Sequence, residues 1–293
     1  SWLYNIGRKI FQSSNPPPFR SPIPVLCIGN LTAGGSGKTP TALAMMKFIR
    51  PANIAKNPVF LTRGYGGKIK TPTLVDSSHH TANDTGDEAL LLAKIAPTIV
   101  SPDRAAGAQF AHDNGFDLIV MDDGFQNRSL SKTLSLVVID GASGFGNGKL
   151  LPAGALREPL QEGFSRADGF ILIGDDGRNI RAHLPSEKPV FEAKITVPKT
   201  WIADTKSLYV AFCGLGRPEK FKRTLERQNI KIVAWLEFPD HHAYTQTDLD
   251  KIIQTALNHK ARLITTEKDA PRLPPTFATH HPLDILPTLL AFF

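Results

Sequence analysis

The sequence predicts an α/β fold, a mostly parallel sheet covered by helices, with a second, smaller α/β lobe. Three observations carry this. Short apolar runs recur with helix-length segments between them, and apolar strands with helical crossovers form parallel sheets buried on both faces. A glycine-rich segment, Gly34-Gly35-Ser36-Gly37-Lys38-Thr39, falls between the first such run and the first such helix. The alternation breaks near 185–199 and resumes with a second set of strands and helices.

Composition bounds the alternatives. At 293 residues and 41% hydrophobic content, the chain is too long for a disulfide miniprotein and too apolar for a disordered one. Its two cysteines, Cys27 and Cys213, each sit in an apolar run; they read as buried thiols, not as a disulfide framework. No apolar run approaches the roughly 18 residues of a membrane span.

The elements follow in order. Residues 1–24 form an N-terminal segment with Trp2, Leu3, Tyr4, Ile6, Ile10 and Phe11 around Arg8 and Lys9. This pattern suits an amphipathic helix, lying either at a membrane interface or on the protein's own core. No small-residue cleavage site follows, which argues against a secretory signal. Pro16, Pro17, Pro18, Pro22 and Pro24 make a stiff connector. Residues 25–188 form the core, with strands over 25–28, 58–61, 98–100, 117–121, 136–140 and 169–173 and helices over 39–49, 88–95 and 104–114. Residues 189–293 form the smaller lobe. There, 189–197 reads as an extended strand joining the lobes, followed by strands over 208–212, 230–235 and 262–266, and helices over 218–228 and 247–258. A proline-rich tail ends in apolar residues 289–293.

The formal net charge of +7 is unevenly placed. No acidic residue precedes Asp76, while Arg8, Lys9, Arg20, Lys38, Lys47, Arg50, Lys56, Arg63, Lys68 and Lys70 make the first 75 residues +10. The rest holds 24 basic and 27 acidic residues, a balance of −3. A basic balance suits nucleic acid, but a polarised one equally suits anionic lipid or a phosphorylated substrate. No helix-turn-helix, zinc-finger or RNP pattern accompanies it.

Gly34, Gly35, Ser36, Gly37, Lys38 and Thr39 follow a strand and open a helix, where a P-loop belongs. Glycines let backbone N–H groups turn toward phosphate oxygens, and the helix N-terminus adds partial positive charge. Lys38 can then reach the β- and γ-phosphates of a nucleotide and Thr39 can ligate Mg²⁺. The usual pattern starts with Gly, where this chain has Thr32. The apolar strand 117–121 ends in Asp122-Asp123, the Walker B form that holds Mg²⁺. Adjacent strand residues point opposite ways, so either Asp qualifies.

Other strand ends carry polar clusters. Thr62-Arg63-Gly64-Tyr65-Gly66-Gly67 either places Arg63 or Tyr65 over a ligand or is a plain turn. Asp87, in Gly86-Asp87-Glu88, opens a helix, where the dipole alone favours an acid. Arg157 and Glu158, between prolines, form a phosphate clamp or a solvated ion pair. His241, in Phe238-Pro239-Asp240-His241-His242, handles a proton or is a surface-loop residue. Gly214-Leu215-Gly216 lacks the third glycine of a dinucleotide fingerprint.

Taken together these motifs resemble the tetraacyldisaccharide 4'-kinases, the lipid A 4'-kinases of Gram-negative bacteria. The resemblance runs from residue 25 to about residue 270, through Gly29-Asn30-Leu31-Thr32, Lys38-Thr39-Pro40, Thr62 to Gly67, Gly86-Asp87-Glu88-Ala89, Asp122-Asp123-Gly124-Phe125-Gln126, Leu151-Pro152-Ala153-Gly154, Arg157-Glu158-Pro159, Phe238-Pro239-Asp240-His241 and Thr266-Glu267-Lys268-Asp269. Thr32 is also that family's form. The resemblance implies transfer of the ATP γ-phosphoryl group to the 4'-hydroxyl of a tetraacyldisaccharide 1-phosphate, giving lipid IVA. It implies a peripheral enzyme on the cytoplasmic face of the inner membrane, meeting an anionic membrane surface and needing no nucleic acid or obligate protein partner. It also implies Asp87 as base with His241 in support, which requires the lobes to close. Ser36, Lys38 and Thr39 would serve phosphates and metal, Asp122, Asp123 and Glu158 the Mg²⁺, Arg157 the transferring phosphoryl, and Tyr65 the substrate. A P-loop switch ATPase acting on a protein partner would explain the phosphate loop and acidic strand, but not the Leu151–Pro159 stretch or the basic start.

Overall fold

Strand β1 (Val25–Gly29) shows why the chain folds in layers. All five of its residues are buried. Val25 and Cys27 join one hydrophobic cluster, and Leu26 and Ile28 join another. Successive side chains of a strand alternate between faces, so β1 has a core on both sides. The structure, a computed structural model, describes residues 17–202, 204–274 and 276–293. The expected amphipathic helix before Pro16 lies outside the described residues.

The chain divides into two units, residues 1–195 with 290–293, and residues 196–289. In the first, helix α1 (Lys38–Ile49) follows β1 and leads to β2 (Pro58–Thr62). After β3 (Thr73–Leu74) come helices α2 (Ala82–Thr85) and α3 (Asp87–Ala93), β4 (Thr98–Val100), α4 (Arg104–Asp113), β5 (Leu118–Asp122) and β6 (Leu134–Asp140). Helix α5 (Leu160–Arg166), β7 (Gly169–Ile173), β8 (Val190–Thr196) and the final strand β13 (Leu289–Phe292) complete the sheet. Its order is β13-β8-β7-β6-β1-β5-β2-β4-β3. The pairings from β8 through β4 are parallel, and β3 is antiparallel to β4.

Ala42, Met46 and Ile49 of α1 cover one face, and Ala108 and Ala111 of α4 the other. Strand β1 pairs with both β5 and β6. Its carboxyl end is therefore a point where the strand order reverses, which in open α/β sheets is where ligands bind.

The segment read as an extended strand between the lobes is a strand of this sheet, with β8 pairing Val190 to Ala193 with Phe170 to Ile173. Its alternating pattern has a physical cause: it lies next to the edge strand β13 and buries only Ala193 fully. The apolar tail likewise returns as β13, placing Leu290 in the cluster beneath α1.

The second unit has a four-stranded sheet ordered β10-β9-β11-β12. Its strands are β9 (Leu208–Cys213), β10 (Lys231–Glu237), β11 (Arg262–Thr266) and β12 (Leu283–Leu286), all parallel. Helix α6 (Pro218–Arg227) packs Phe221 and Leu225 on the face bearing Tyr209 and Ala211, and α7 (Gln246–His259) packs Leu249 and Ile252 on the face bearing Val210 and Phe212. Both cysteines are free and buried, and desolvation pushes each thiol up to about 12.

Candidate active site

The turn from β1 into α1 is built around Asn30. Its side-chain amide donates to the Thr32 carbonyl at 2.6 Å and to the Ser36 hydroxyl at 2.8 Å. The first half of the loop is extended: Thr32 bridges to Leu156, Ala33 N donates to Ala155 O at 2.7 Å, and Arg157 N to Leu31 O at 2.8 Å. A bridged, extended position needs no positive φ, which explains how Thr occupies a place usually held by Gly. The tight part comes later, with φ 99° at Gly34 and 97° at Gly37. Helix α1 begins without a side-chain cap and without an acid in its first turn. Its N-terminal amides and partial positive charge thus remain available to an anion.

Two adjacent aspartates part ways at the end of β5. Asp122, 1% exposed, accepts from the Thr39 hydroxyl at 3.1 Å. Asp123 turns out of the strand at φ 51°. Its carboxylate takes both arms of Arg157, at 2.8 and 3.4 Å, and lies 3.6 Å from Lys38 Nζ. The same Thr39 hydroxyl lies 3.5 Å from Glu88 Oε1, which ties the first turn of α3 to the phosphate loop. Buried Asp87 opens that turn, accepting from Glu88 N at 2.9 Å.

The turn 62–67 folds against this corner. Lys68 N and Ile69 N donate to Asp84 O at 2.9 and 3.0 Å. Gly86, at φ 84°, packs so close to the Tyr65 carbonyl that a Cβ would collide with it. Tyr65 and Arg63 are both exposed, beside the Asp87 turn.

Glu158 stands apart from the Thr39–Asp122 pair in its bonding. It is buried and takes two bonds from Arg166, at 2.7 and 2.6 Å, and one from Gln126 at 3.0 Å. Among the described residues, no three His, Cys, Asp or Glu side chains converge as a metal cage. Of the four residues expected around Mg²⁺, Asp123 pairs with Arg157 and lies near Lys38, and Glu158 bonds Arg166. Thr39 and Asp122 remain as two buried, adjacent oxygen donors. That donor set fits Mg²⁺, which takes one or two protein oxygens and completes its shell with phosphates and water.

Sequence reasoning missed Arg104. It opens α4 and is 4% exposed. One arm donates to Ser101 O, and its Nε has no partner among the described residues. Burial, aided by nearby Arg63, lowers its guanidinium to about 10, while Asp123 and Asp122 oppose the shift. It is a buried cation within electrostatic reach of the two aspartates, and in sequence it reads as an ordinary helix start. Asn30, Gln126 and Arg166 were missed because sequence does not show their partners: Asn30 bonds Thr32 and Ser36 within the loop, Gln126 bonds Asn30 and Glu158, and Arg166 bonds Glu158. Glu88 carried a signal, its place beside Asp87.

In the second unit, the two adjacent histidines differ. His242 stacks on Phe238 with centroids 4.9 Å apart and bonds Asp248 at 2.9 Å. His241 has φ 58° and an exposed ring 3.9 Å from Asp240.

The chain is similar to known proteins. The family model described as tetraacyldisaccharide-1-P 4'-kinase matches residues 1–291. A tetraacyldisaccharide 4'-kinase of Gluconacetobacter diazotrophicus is 50% identical over 257 residues, covering 88% of this chain and 78% of its own. That of Methylorubrum extorquens (strain PA1) is 46% identical over 279 residues, covering 94% and 84%. A crystal structure of LpxK from Aquifex aeolicus in complex with ATP superposes with a TM-score of 0.77 at 25% identity, covering all of this chain and 93% of that one. An uncapped phosphate loop beside a buried acidic helix turn, and sequence likeness running the length of the chain, lead to one assignment: the chain belongs to the tetraacyldisaccharide 4'-kinase family.

Proposed function

We propose that this chain transfers the γ-phosphoryl group of ATP to the 4'-hydroxyl of a tetraacyldisaccharide 1-phosphate, the step that gives lipid IVA. The observation that carries the reading is the meeting of three groups at one corner: the uncapped start of α1, the Thr39–Asp122 pair, and the turn bearing Asp87. Phosphoryl transfer needs positioning and charge neutralisation more than covalent chemistry. The α1 amides and Ser36 hold phosphate oxygens, and Lys38 and Arg157 offset their charge. Asp123 keeps those two cations in place. Thr39 and Asp122 hold Mg²⁺, which when bound neutralises charge on the phosphates. Asp87 takes the proton of the attacking sugar hydroxyl, and His241 supports that carboxylate. Arg63 and Tyr65, beside the Asp87 turn, place the acceptor.

The remaining parts of the reading concern the membrane. Among the described residues no helix is long and apolar enough to cross one. The +10 first quarter and the apolar residues before Pro16 favour peripheral attachment to an anionic surface, on the cytoplasmic face of the inner membrane. Incubation with Mg-ATP and the disaccharide 1-phosphate in detergent tests the activity by formation of a bisphosphorylated lipid. ATP hydrolysis without that product would favour a switch ATPase.

A further inference from the structure

The second unit holds a buried ionic network that the proposed mechanism does not use. Asp269, 0% exposed, follows β11. Its Oδ1 accepts from Gly214 N and from the Tyr244 hydroxyl, each at 2.8 Å, and its Oδ2 from the Thr266 hydroxyl at 2.6 Å. Arg272, with a side chain 7% exposed, lies 3.4 Å from Asp269 Oδ1. Its other arm reaches back, donating to Gly214 O at 3.2 Å and His242 O at 3.4 Å.

These bonds converge on one peptide segment. The amide of Gly214 is held by Asp269, while its carbonyl receives Arg272 and, at 3.3 Å, the backbone N–H of His241. A Cβ on Gly214 would stand 2.9 Å from Pro239 O and 3.1 Å from His242 Cβ. Strands β9 and β11 pair side by side, so their carboxyl ends grip the loop 238–242 from beneath. The His242 ring is fixed by Phe238 and Asp248. What the grip leaves presented is His241, in a left-handed conformation that an L-residue keeps only where its surroundings over-determine it. An ion pair is a costly way to brace a turn, because both charges are desolvated; its geometry accounts for that cost by fixing the backbone on both sides of Gly214.

We propose that Asp269 and Arg272 are positioning residues for His241, acting through the Gly214 peptide. The inference rests on the reading that His241 supports the base. Its test is a double-mutant cycle in the full chain, with kcat and the KM for ATP measured for His241→Ala, Asp269→Asn, Gly214→Ala and the two doubles with His241→Ala. Gly214→Ala pushes on Pro239 and crowds Arg272 Nη1 at 3.2 Å but keeps both charged side chains, so it carries the cycle if Asp269→Asn does not fold. Both single variants should lose about tenfold or more in kcat with the KM for ATP unchanged, and neither should slow His241→Ala further. A structural brace would instead multiply the losses. Wild-type kcat in Asp269→Asn and Gly214→Ala, or multiplied losses in the doubles, overturns the positioning role. Wild-type turnover in His241→Ala overturns the underlying reading of His241 and the positioning role with it.

Discussion

Gly37→Ala tests the phosphate loop through its backbone. Gly37 sits at φ 97°, and a Cβ there would lie 2.6 Å from Ile173 Cδ1. Carbon atoms pack at about 3.5–4.0 Å, so the methyl overlaps its neighbour by roughly 1 Å. The left-handed conformation costs an L-residue about 1–2 kcal/mol, and overpacking adds about 1–3 kcal/mol. Together they destabilise the fold by about 2–5 kcal/mol. The two contributions separate in the double variant with Ile173→Val, which removes Cδ1. Alone, Ile173→Val costs about 0.5–1.5 kcal/mol. In combination it relieves the overlap and leaves the conformational cost, so the double should be more stable than the sum by about 1–3 kcal/mol. Urea unfolding of the four proteins measures this. Activity follows the same logic: a shift of about 1 Å in the α1 amides should cost on the order of 10²-fold in kcat/KM for ATP, partly restored by Ile173→Val. Stabilities additive within about 0.5 kcal/mol, or wild-type kcat/KM in Gly37→Ala, would refute the reasoning.

Three further outcomes are expected. Asp87→Asn keeps an oxygen to accept from Glu88 N but removes the proton acceptor; its kcat should fall about 10²–10⁴-fold at unchanged KM for ATP, and steady-state kinetics near wild type would exclude Asp87 as base. Thr39→Val deletes the hydroxyl bonded to Asp122 and should raise the Mg²⁺ concentration for half-maximal rate by about tenfold or more; an unchanged Mg²⁺ titration would remove Thr39 from the metal site. Asp248 is lowered from 3.8 to about 2 by the Thr245 hydroxyl and then by His242. A depressed folded value stabilises above the unfolded one and loses that contribution as pH falls through the folded one. The stability gap between wild type and Asp248→Asn should therefore narrow between about pH 4 and about pH 2, and a constant gap in unfolding measurements across that window would contradict the assignment.

Much of this was legible in sequence because the informative signals are contiguous. The strands around β1 are apolar on both faces, so they stand out without knowledge of their partners. The phosphate loop is legible for the same reason. What escaped depends on pairing across the chain. Strand β8 looked like a connector because a lightly covered strand carries few apolar residues. Helix α5 starts just after Pro159, in a segment where no helix was read. Which aspartate meets Thr39 turns on the φ of 51° at Asp123, a property that adjacent identical residues do not reveal. That Glu158 bonds Arg166, eight residues on in the following helix, is likewise not visible in the sequence.

The return of β13 to the first sheet has a consequence for biosynthesis. Residues 196–289 are an insertion between two strands of the older-emerging unit. Thr196 Oγ1 donates to Leu289 O at 3.3 Å, so the insertion leaves and rejoins at one point, as excisable modules do. During translation, β8 waits with one edge unpaired while about a third of the chain is made, an interval of several seconds at ordinary elongation rates. An open edge strand invites pairing with other chains. The nascent kinase is therefore most exposed to misassembly after its catalytic core has formed and before its last strand arrives.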